Sequence, residues 1–285
     1  MKTRFTLFPF CLFFSLILCT SASAATHPWD MKLPFQAATI QYSISGLETG
    51  AETLYIRDYG KERASHRKST TKMMMMSTVT DQIEITNPDW VYTIDLQAGT
   101  GTRVTNPLKF MMEEYNRLSS AEKEMVNKNV QEMGASFMQG MQGSVQQNAG
   151  DILGYSCDRA SVAGTTSYSI HGTDIALKSE GNMMGMHFST VATGITEGSV
   201  PGDVFNPPAG IQITHDQEAD NAARTMARST IDTLKSPDAS SKMQQQAEGA
   251  MNEAQSADPQ APPANQGSGQ EMQQAMDALK GLFGK

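Results

Sequence analysis

Cysteine is nearly absent from this 285-residue chain: there are three, and Cys11 and Cys19 fall within a short N-terminal leader. Loss of that leader would leave Cys157 alone, and a single thiol cannot close an internal disulfide. Stability is therefore expected from burial. Basic clusters are missing too, and the formal charge of −8 with a pI near 5.1 excludes nucleic acid or an anionic membrane surface as the expected partner, because neither attracts an acidic protein. After the leader no window approaches the roughly 20 apolar residues of a membrane-spanning helix. Catalytic signatures are lacking as well. The histidines His27, His66, His171, His187 and His215 are dispersed, with no His-Glu-x-x-His pair, no Gly-x-Ser-x-Gly elbow and no glycine-rich phosphate loop. Two Ser-x-x-Lys matches occur, Ser65 to Lys68 and Ser120 to Lys123. The first lies in a predicted strand, where that spacing puts the two side chains on opposite faces, and the second reads as a helix start. No enzyme and no cofactor is expected.

What is present begins with Met1-Lys2-Thr3-Arg4, an apolar run from Phe5 to Leu18, and Ala22-Ser23-Ala24. This is the charged, apolar and small-residue order of a secretory signal, so residues 1–24 are read as a cleaved leader and the mature chain as periplasmic. Leu18 is too bulky for the position before a lipid-modified Cys19. About 260 residues remain, enough for one large domain with appendages.

Alternation of period two dominates the next stretch. Ala38 to Ser45, Thr53 to Tyr59, Arg63 to Thr71, Met73 to Val79, Gln82 to Thr86 and Trp90 to Leu96 read as strands separated by glycine and Asn87-Pro88-Asp89 turns. Helical spacing then takes over. Leu108, Met111, Met112, Tyr115 and Leu118 share one stripe, and Ser119-Ser120-Ala121-Glu122 has the capping-box form that starts a second helix carrying Val126, Val130, Met133 and Phe137. The helical insertion is placed at about 108–143. Strands return at Ile152 to Val162, Ser167 to His171, Ile175 to Lys178 and Met183 to Ala192. The sheet domain, residues 25–215, is thus an antiparallel meander of α+β class. Residues 216–235 read as a helix with Asp216, Glu218 and Asp220 at its positive end. Residues 236–270, rich in Ala, Gln, Ser and Pro without aromatics, read as a disordered linker. Met272, Met276, Leu279, Leu282 and Phe283 give an amphipathic helix at 271–285.

Three groups of residues carry a resemblance. They are Glu52-Thr53-Leu54-Tyr55-Ile56-Arg57-Asp58-Tyr59-Gly60, then Asp89 to Leu96 with Gly101-Thr102-Arg103, and Leu153-Gly154-Tyr155-Ser156-Cys157; Gly172 to Glu180, Met184-Gly185-Met186 and Val204-Phe205-Asn206-Pro207-Pro208 close the pattern. Over residues 38 to 211 the chain resembles a bacterial secreted domain family grouped with the outer-membrane lipoprotein carriers of the LolA/LolB type. The resemblance implies a curved antiparallel sheet, a LolA-like half-barrel covered by helices, able in the carriers to hold acyl chains. No carrier ligand-contact residue maps onto a position of this chain.

The apolar strand faces supply the candidate ligand-binding set: Tyr42, Trp90, Tyr92, Ile94, Met184, Met186 and Phe188. These residues could line a pocket for a lipid or acyl chain, or for a hydrophobic segment of a partner, and they could equally fill a core. An envelope scaffold recruiting a protein partner through residues 271–285 is the alternative. A third reading comes from the 20 methionines, including Met73-Met74-Met75-Met76 and Met183-Met184-Gly185-Met186-His187, because thioethers are soft ligands that suit copper as Cu(I). In continuous strands Met74 and Met76 would share one face and Met73 and Met75 the other, while Met184 and Met186 would converge with His187 opposite. Cys157 alternates with Tyr155 and is expected as a buried, inert thiol.

Overall fold

The computed structural model describes residues 27–29, 33–73, 76–140, 143–162, 164–183, 186–239 and 241–242. The predicted leader, most of the linker and the C-terminal amphipathic segment lie outside the described residues.

Twelve strands form one open sheet that is antiparallel except at one edge. In chain order they are β1 (Ala38–Gly46), β2 (Glu48–Arg57), β3 (Glu62–Met73), β4 (Met76–Thr86), β5 (Trp90–Asp95) and β6 (Thr100–Thr105), then β7 (Ser144–Ile152), β8 (Tyr155–Val162), β9 (Thr165–Ile170), β10 (Ala176–Met183), β11 (Met186–Glu197) and β12 (Gln212–His215). Their spatial order is β12-β6-β5-β4-β3-β2-β1-β11-β10-β9-β8-β7. Two meanders therefore meet where β1 pairs with β11, and the chain travels from one edge to the other between β6 and β7. Helices α1 (Pro107–Asn116) and α2 (Ser120–Gly140) make that journey, and α3 (Gln217–Leu234) follows β12.

Local chemistry explains the boundaries. Asn87 Oδ1 accepts from Asp89 N and Trp90 N at 3.0 and 2.8 Å, fixing the turn into β5. Asn106 caps α1 by accepting from Leu108 N, with Pro107 at a position that needs no donor. Ser119 N donates to Glu122 at 2.9 Å in the capping box that opens α2, and Asp216 caps α3.

Register assigns the faces. Tyr42, Glu52, Arg67, Gln82 and Asp95 form one cross-strand file, and the adjacent file runs Gln41, Thr53, His66, Ile83, Ile94, Gly101 and Ile213. Partners in a ladder share a face and neighbours along a strand oppose each other, so Tyr42 and Ile94 stand on opposite faces, here the first and the second.

The apolar surface is buried in three clusters. One unites Trp29 with Phe110, Met111 and Tyr115 of α1, Val126 and Val130 of α2, and Ala227, Ile231 and Leu234 of α3. A second gathers Ala38, Ile40, Tyr42 and Ile56 on the first face beneath Leu33 and Phe35, with Cys157, Ile170, Ile175 and Leu177. The third sets Ala64, Ile85 and Ile94 on the second face beneath Phe205, with Val200, Val204 and Ile211 packed alongside. Helical cover of the sheet is the expectation that changes: among the described residues neither sheet cluster contains a residue of α1, α2 or α3, whose buried apolar residues pack on one another. Two connecting segments do the covering: 33–37, and 198–211 with a 3-10 turn at Gly202–Phe205.

Three strands escaped sequence reading. β6 and β7 have weak alternation, with Thr100 to Thr105 mostly polar and Ser144 to Ile152 almost entirely exposed, and β12 is only four residues long. A further correction concerns methionine. Met73 pairs with Met76 and Met183 with Met186, so each run closes a hairpin instead of lying within one strand.

Candidate functional site

The seven predicted ligand-binding residues do not come together. Tyr42, Met186 and Phe188 belong to the first face, Trp90, Tyr92 and Ile94 to the second, and Met184 lies outside the described residues. Tyr42 is 8 % exposed and donates its hydroxyl to Ala176 O at 3.1 Å, which makes it a core residue with a satisfied polar tip. Burial pushes its phenol well above the usual range, with the Glu52 charge adding to the effect. Ile94 is fully buried, and Tyr92 packs beside it. Trp90 sits edge-on to His215 at 5.2 Å, under the Arg103 guanidinium at 4.5 Å. Phe188 lies against Gly181, whose hydrogen occupies the space a Cβ would need 2.7 Å from that ring.

A cavity of about 430 Å³ opens instead on the second face. Its floor is Tyr55, Ala64, His66 and Ile83 from β2, β3 and β4, and its roof is the strap Val204, Asn206, Pro207, Pro208 and Ala209, with Asp203 at the rim. The strap holds its place because Phe205 is buried against Ala64, Ile85 and Ile94 and carries the Arg57 guanidinium over its ring at 4.3 Å. Two consecutive prolines restrict the strap backbone and leave two positions without a donor. On the floor, His66 Nε2 lies 2.7 Å from Asp81, which Lys68 also approaches at 3.1 Å. The hydrogen bond with His66, joined by Lys68, holds the Asp81 carboxyl below the ordinary aspartate range. Sequence reading missed this cavity because strap and floor are separated by more than a hundred residues and only the Asn-Pro-Pro signature marked a turn.

The first face carries a polar cluster beside its apolar core, where that core ends on β2 and β3. Arg67 donates to Glu48 and to Glu52, the latter at 3.1 Å, and Ser69 donates to Glu48. Burial raises the Glu52 carboxyl despite Arg67. For Glu48 burial pushes the same way, but hydrogen bonds from Arg67 and Ser69 outweigh it and lower the carboxyl. Nearby, Arg63 grips Asp174 with two bonds of 2.6 and 3.0 Å, clamping the loop between β9 and β10 to β3. These ion pairs satisfy one another across neighbouring strands. Ser65 and Lys68 fall on opposite faces of β3, as their spacing implied. Cys157 is fully buried, and burial raises its thiol. Among the described residues no group of three or more His, Cys, Asp or Glu could hold a metal ion, and no helix is long and apolar enough to cross a membrane.

No family model matches the chain, and no curated protein matches it. Among solved structures, an uncharacterized conserved protein from Thermus thermophilus superposes with a TM-score of 0.36 at 7 % identity, over 62 % of this chain and 90 % of that one. PNGF-II in a C2 space group gives a TM-score of 0.34 at 13 % identity, over 68 % of this chain and 33 % of that one. Similarity at these scores transfers neither a fold name nor a function.

Proposed function

We propose that this chain is a periplasmic, non-enzymatic binding protein for an apolar ligand, a lipid, an acyl chain or a hydrophobic segment of a partner. The observation that carries the reading is the cavity of about 430 Å³ between β2, β3, β4 and the strap, within the roughly 300–1,000 Å³ typical of small-molecule sites. Its walls are mixed: Tyr55, Ala64 and Ile83 below and Val204, Pro207, Pro208 and Ala209 above are apolar, while Ser65, His66, Asp203 and Asn206 supply the polar groups that would orient a ligand. Eight buried methylenes would contribute about 6 kcal/mol before the cost of immobilising the ligand. The strap's prolines reduce that cost by holding the roof in one conformation.

The half-barrel architecture of the lipoprotein carriers belongs to the same proposal. β6 and β7 are ten strand positions apart, about 48 Å in a flat sheet. Yet from Val130, packed with α1 and α3 beside the β6 edge, the chain reaches Ser144 through ten helical residues and three more, about 25 Å of reach. Such a short bridge favours a sheet bent toward the helices. A Cβ on Gly50 would lie 2.2 Å from Lys68 O, the crowding expected of strongly coiled neighbouring strands.

Delipidated protein should bind a fluorescent fatty acid saturably. Ala209→Trp, which fills the cavity from an exposed position of the strap, should weaken that binding at least about ten-fold. Absence of saturable binding by the parent chain, or equal binding by the variant, would end this reading.

A further inference from the structure

Among the described residues two buried polar side-chain atoms have no hydrogen-bond partner, and they are neighbours: His27 Nδ1 and Trp29 Nε1. Both belong to the short stretch that follows the predicted leader, and that stretch is anchored. The His27 ring stacks on Trp29 at 6.2 Å and meets Tyr115 edge-on at 5.1 Å, while Trp29 meets the same tyrosine at 5.2 Å. Trp29 and Tyr115 belong to the core that α1, α2 and α3 share, and Tyr115 donates its hydroxyl to Asn127 at 3.0 Å. An imidazole nitrogen kept from water without a partner is costly, and native structures seldom retain one. Packing does not account for the choice of residue: a phenyl ring would make the same aromatic contacts and leave no ring nitrogen unsatisfied.

Covalent geometry supplies a use for that nitrogen. Removal of residues 1–24, the part of the proposed function on which this inference rests, makes Ala25-Thr26-His27 the start of the chain. A metal ion taken by the new α-amine closes a five-membered ring through the Thr26 amide nitrogen and a second through the His27 amide nitrogen. A six-membered ring then closes through His27 Cβ and Cγ. Only Nδ1 can complete it, since Nε2 is one atom farther round the imidazole. The ring nitrogen that the chelate needs is thus the one left unpaired. Four nitrogens in a plane suit Cu(II), which also binds most tightly among the first-row divalent ions. The second and third amides of such a chelate must carry protons to lose, which Thr26 and His27 provide, and Pro28 has no N–H with which to extend it.

We infer that the leader-free N-terminus is a square-planar site for Cu(II), formed by the Ala25 α-amine, the amide nitrogens of Thr26 and His27, and His27 Nδ1. Binding releases the two amide protons to solvent, together with any proton on the amine, and moves no electron. The two amidates offset the two charges of the ion. His27 binds as the neutral imidazole with its proton on Nε2.

The test begins with the mass of the chain exported from the full-length sequence, which should correspond to a start at Ala25. Any other start takes the amine out of register with His27 and overturns the inference, while fatty-acid binding still judges the cavity separately. Cu(II) titrated against a competing chelator should bind as one equivalent, with the visible absorption of a planar nitrogen-ligated ion, at least about a hundred-fold more tightly than to His27→Ala. A leader-free chain with one glycine added before Ala25 is the sharper comparison, because it keeps every side chain and moves the imidazole one residue out of register. Its affinity should fall as far; an unchanged affinity would put the ion elsewhere and overturn the site. In a Trp90→Phe background Trp29 is the single tryptophan, and its fluorescence should be quenched by the first equivalent. Steady fluorescence would equally overturn the assignment. Fatty-acid binding should be the same in all these chains.

Discussion

Two stretches of the sheet bury opposite faces. On β1, β10 and β11 the apolar side is the first face, covered by Leu33, Phe35 and the loop bearing Ile175; from β3 to β6 it is the second, covered by the strap bearing Phe205. The change happens across β2, which gives Leu54 and Ile56 to one cluster and Tyr55 to the other. One continuous sheet thus holds two cores, and the polar cluster of Glu48, Glu52 and Arg67 sits where the first core ends on β2 and β3. A strand with both faces apolar would be needed if both cores ran the length of the sheet, whereas alternating strands suffice when each stretch uses one side.

Removing the covers breaks this comparison most directly. Phe35→Ala and Phe205→Ala truncate rings that are 3 % and 6 % exposed, and each should cost about 3–5 kcal/mol. Amide exchange should show the losses separately: protection at Ile85 and Ile94 should fall in Phe205→Ala, and protection at Ile170 and Leu177 in Phe35→Ala. Equal losses across the sheet in both variants would show one core in place of two.

Glycine gives an intermediate effect. Gly50 on β2 leaves no room for a Cβ, which would stand 2.2 Å from Lys68 O and 2.7 Å from the Ser69 Cβ, while Gly150 on β7 has nothing within 4 Å. Gly50→Ala should therefore lose about 1–3 kcal/mol as β2 and β3 move apart. Gly150→Ala should be neutral or stabilise by up to about 1 kcal/mol through the unfolded chain. Thermal unfolding of the pair reads both, and similar midpoints would remove the argument for close approach of β2 and β3 at Gly50.

Much of this was legible in the residues. The alternation of Ala38 to Ser45 and Trp90 to Leu96, the capping box at Ser119 and the acidic start of α3 all rest on interactions within a few residues, and the structure has each element in place. Which face of a strand is buried is a different matter, because period two marks a face without saying what lies over it. Trp90, Tyr92 and Ile94 looked like companions of Tyr42 for that reason. The strap that selects the second face comes from residues 198–211, a stretch with no periodicity. The β3–β4 hairpin was hidden because turns are recognised by Gly, Asn, Asp and Pro, and nothing from Met73 to Met76 is one of these; at the β10–β11 hairpin Gly185 alone stands between Met183 and Met186 as a signal.

The smallest expected effect lies at the edge where α3 meets the second stretch. Asp220, 6 % exposed in the first turn of α3, accepts from Thr105 N at 2.6 Å and from Thr105 Oγ1 at 2.7 Å, and His215 Nε2 lies 2.8 Å away. Burial opposes the charge, but the bonds from Thr105 and His215 outweigh it and hold the carboxyl below the ordinary aspartate range. A lowered folded-state pKa means that the stabilisation is complete above the unfolded value of about 3.9 and is lost as pH falls through the folded value. Asp220→Asn keeps the shape and removes the charge, so it should cost about 1–2 kcal/mol at neutral pH. Denaturant unfolding at a series of pH values should show that difference shrinking below about pH 4, because the parent carboxyl is then protonated as well. A gap that stays constant into acid would mean that Asp220 anchors α3 by shape alone, and the edge would then owe its closure to the packing of Trp90 against His215 and Arg103.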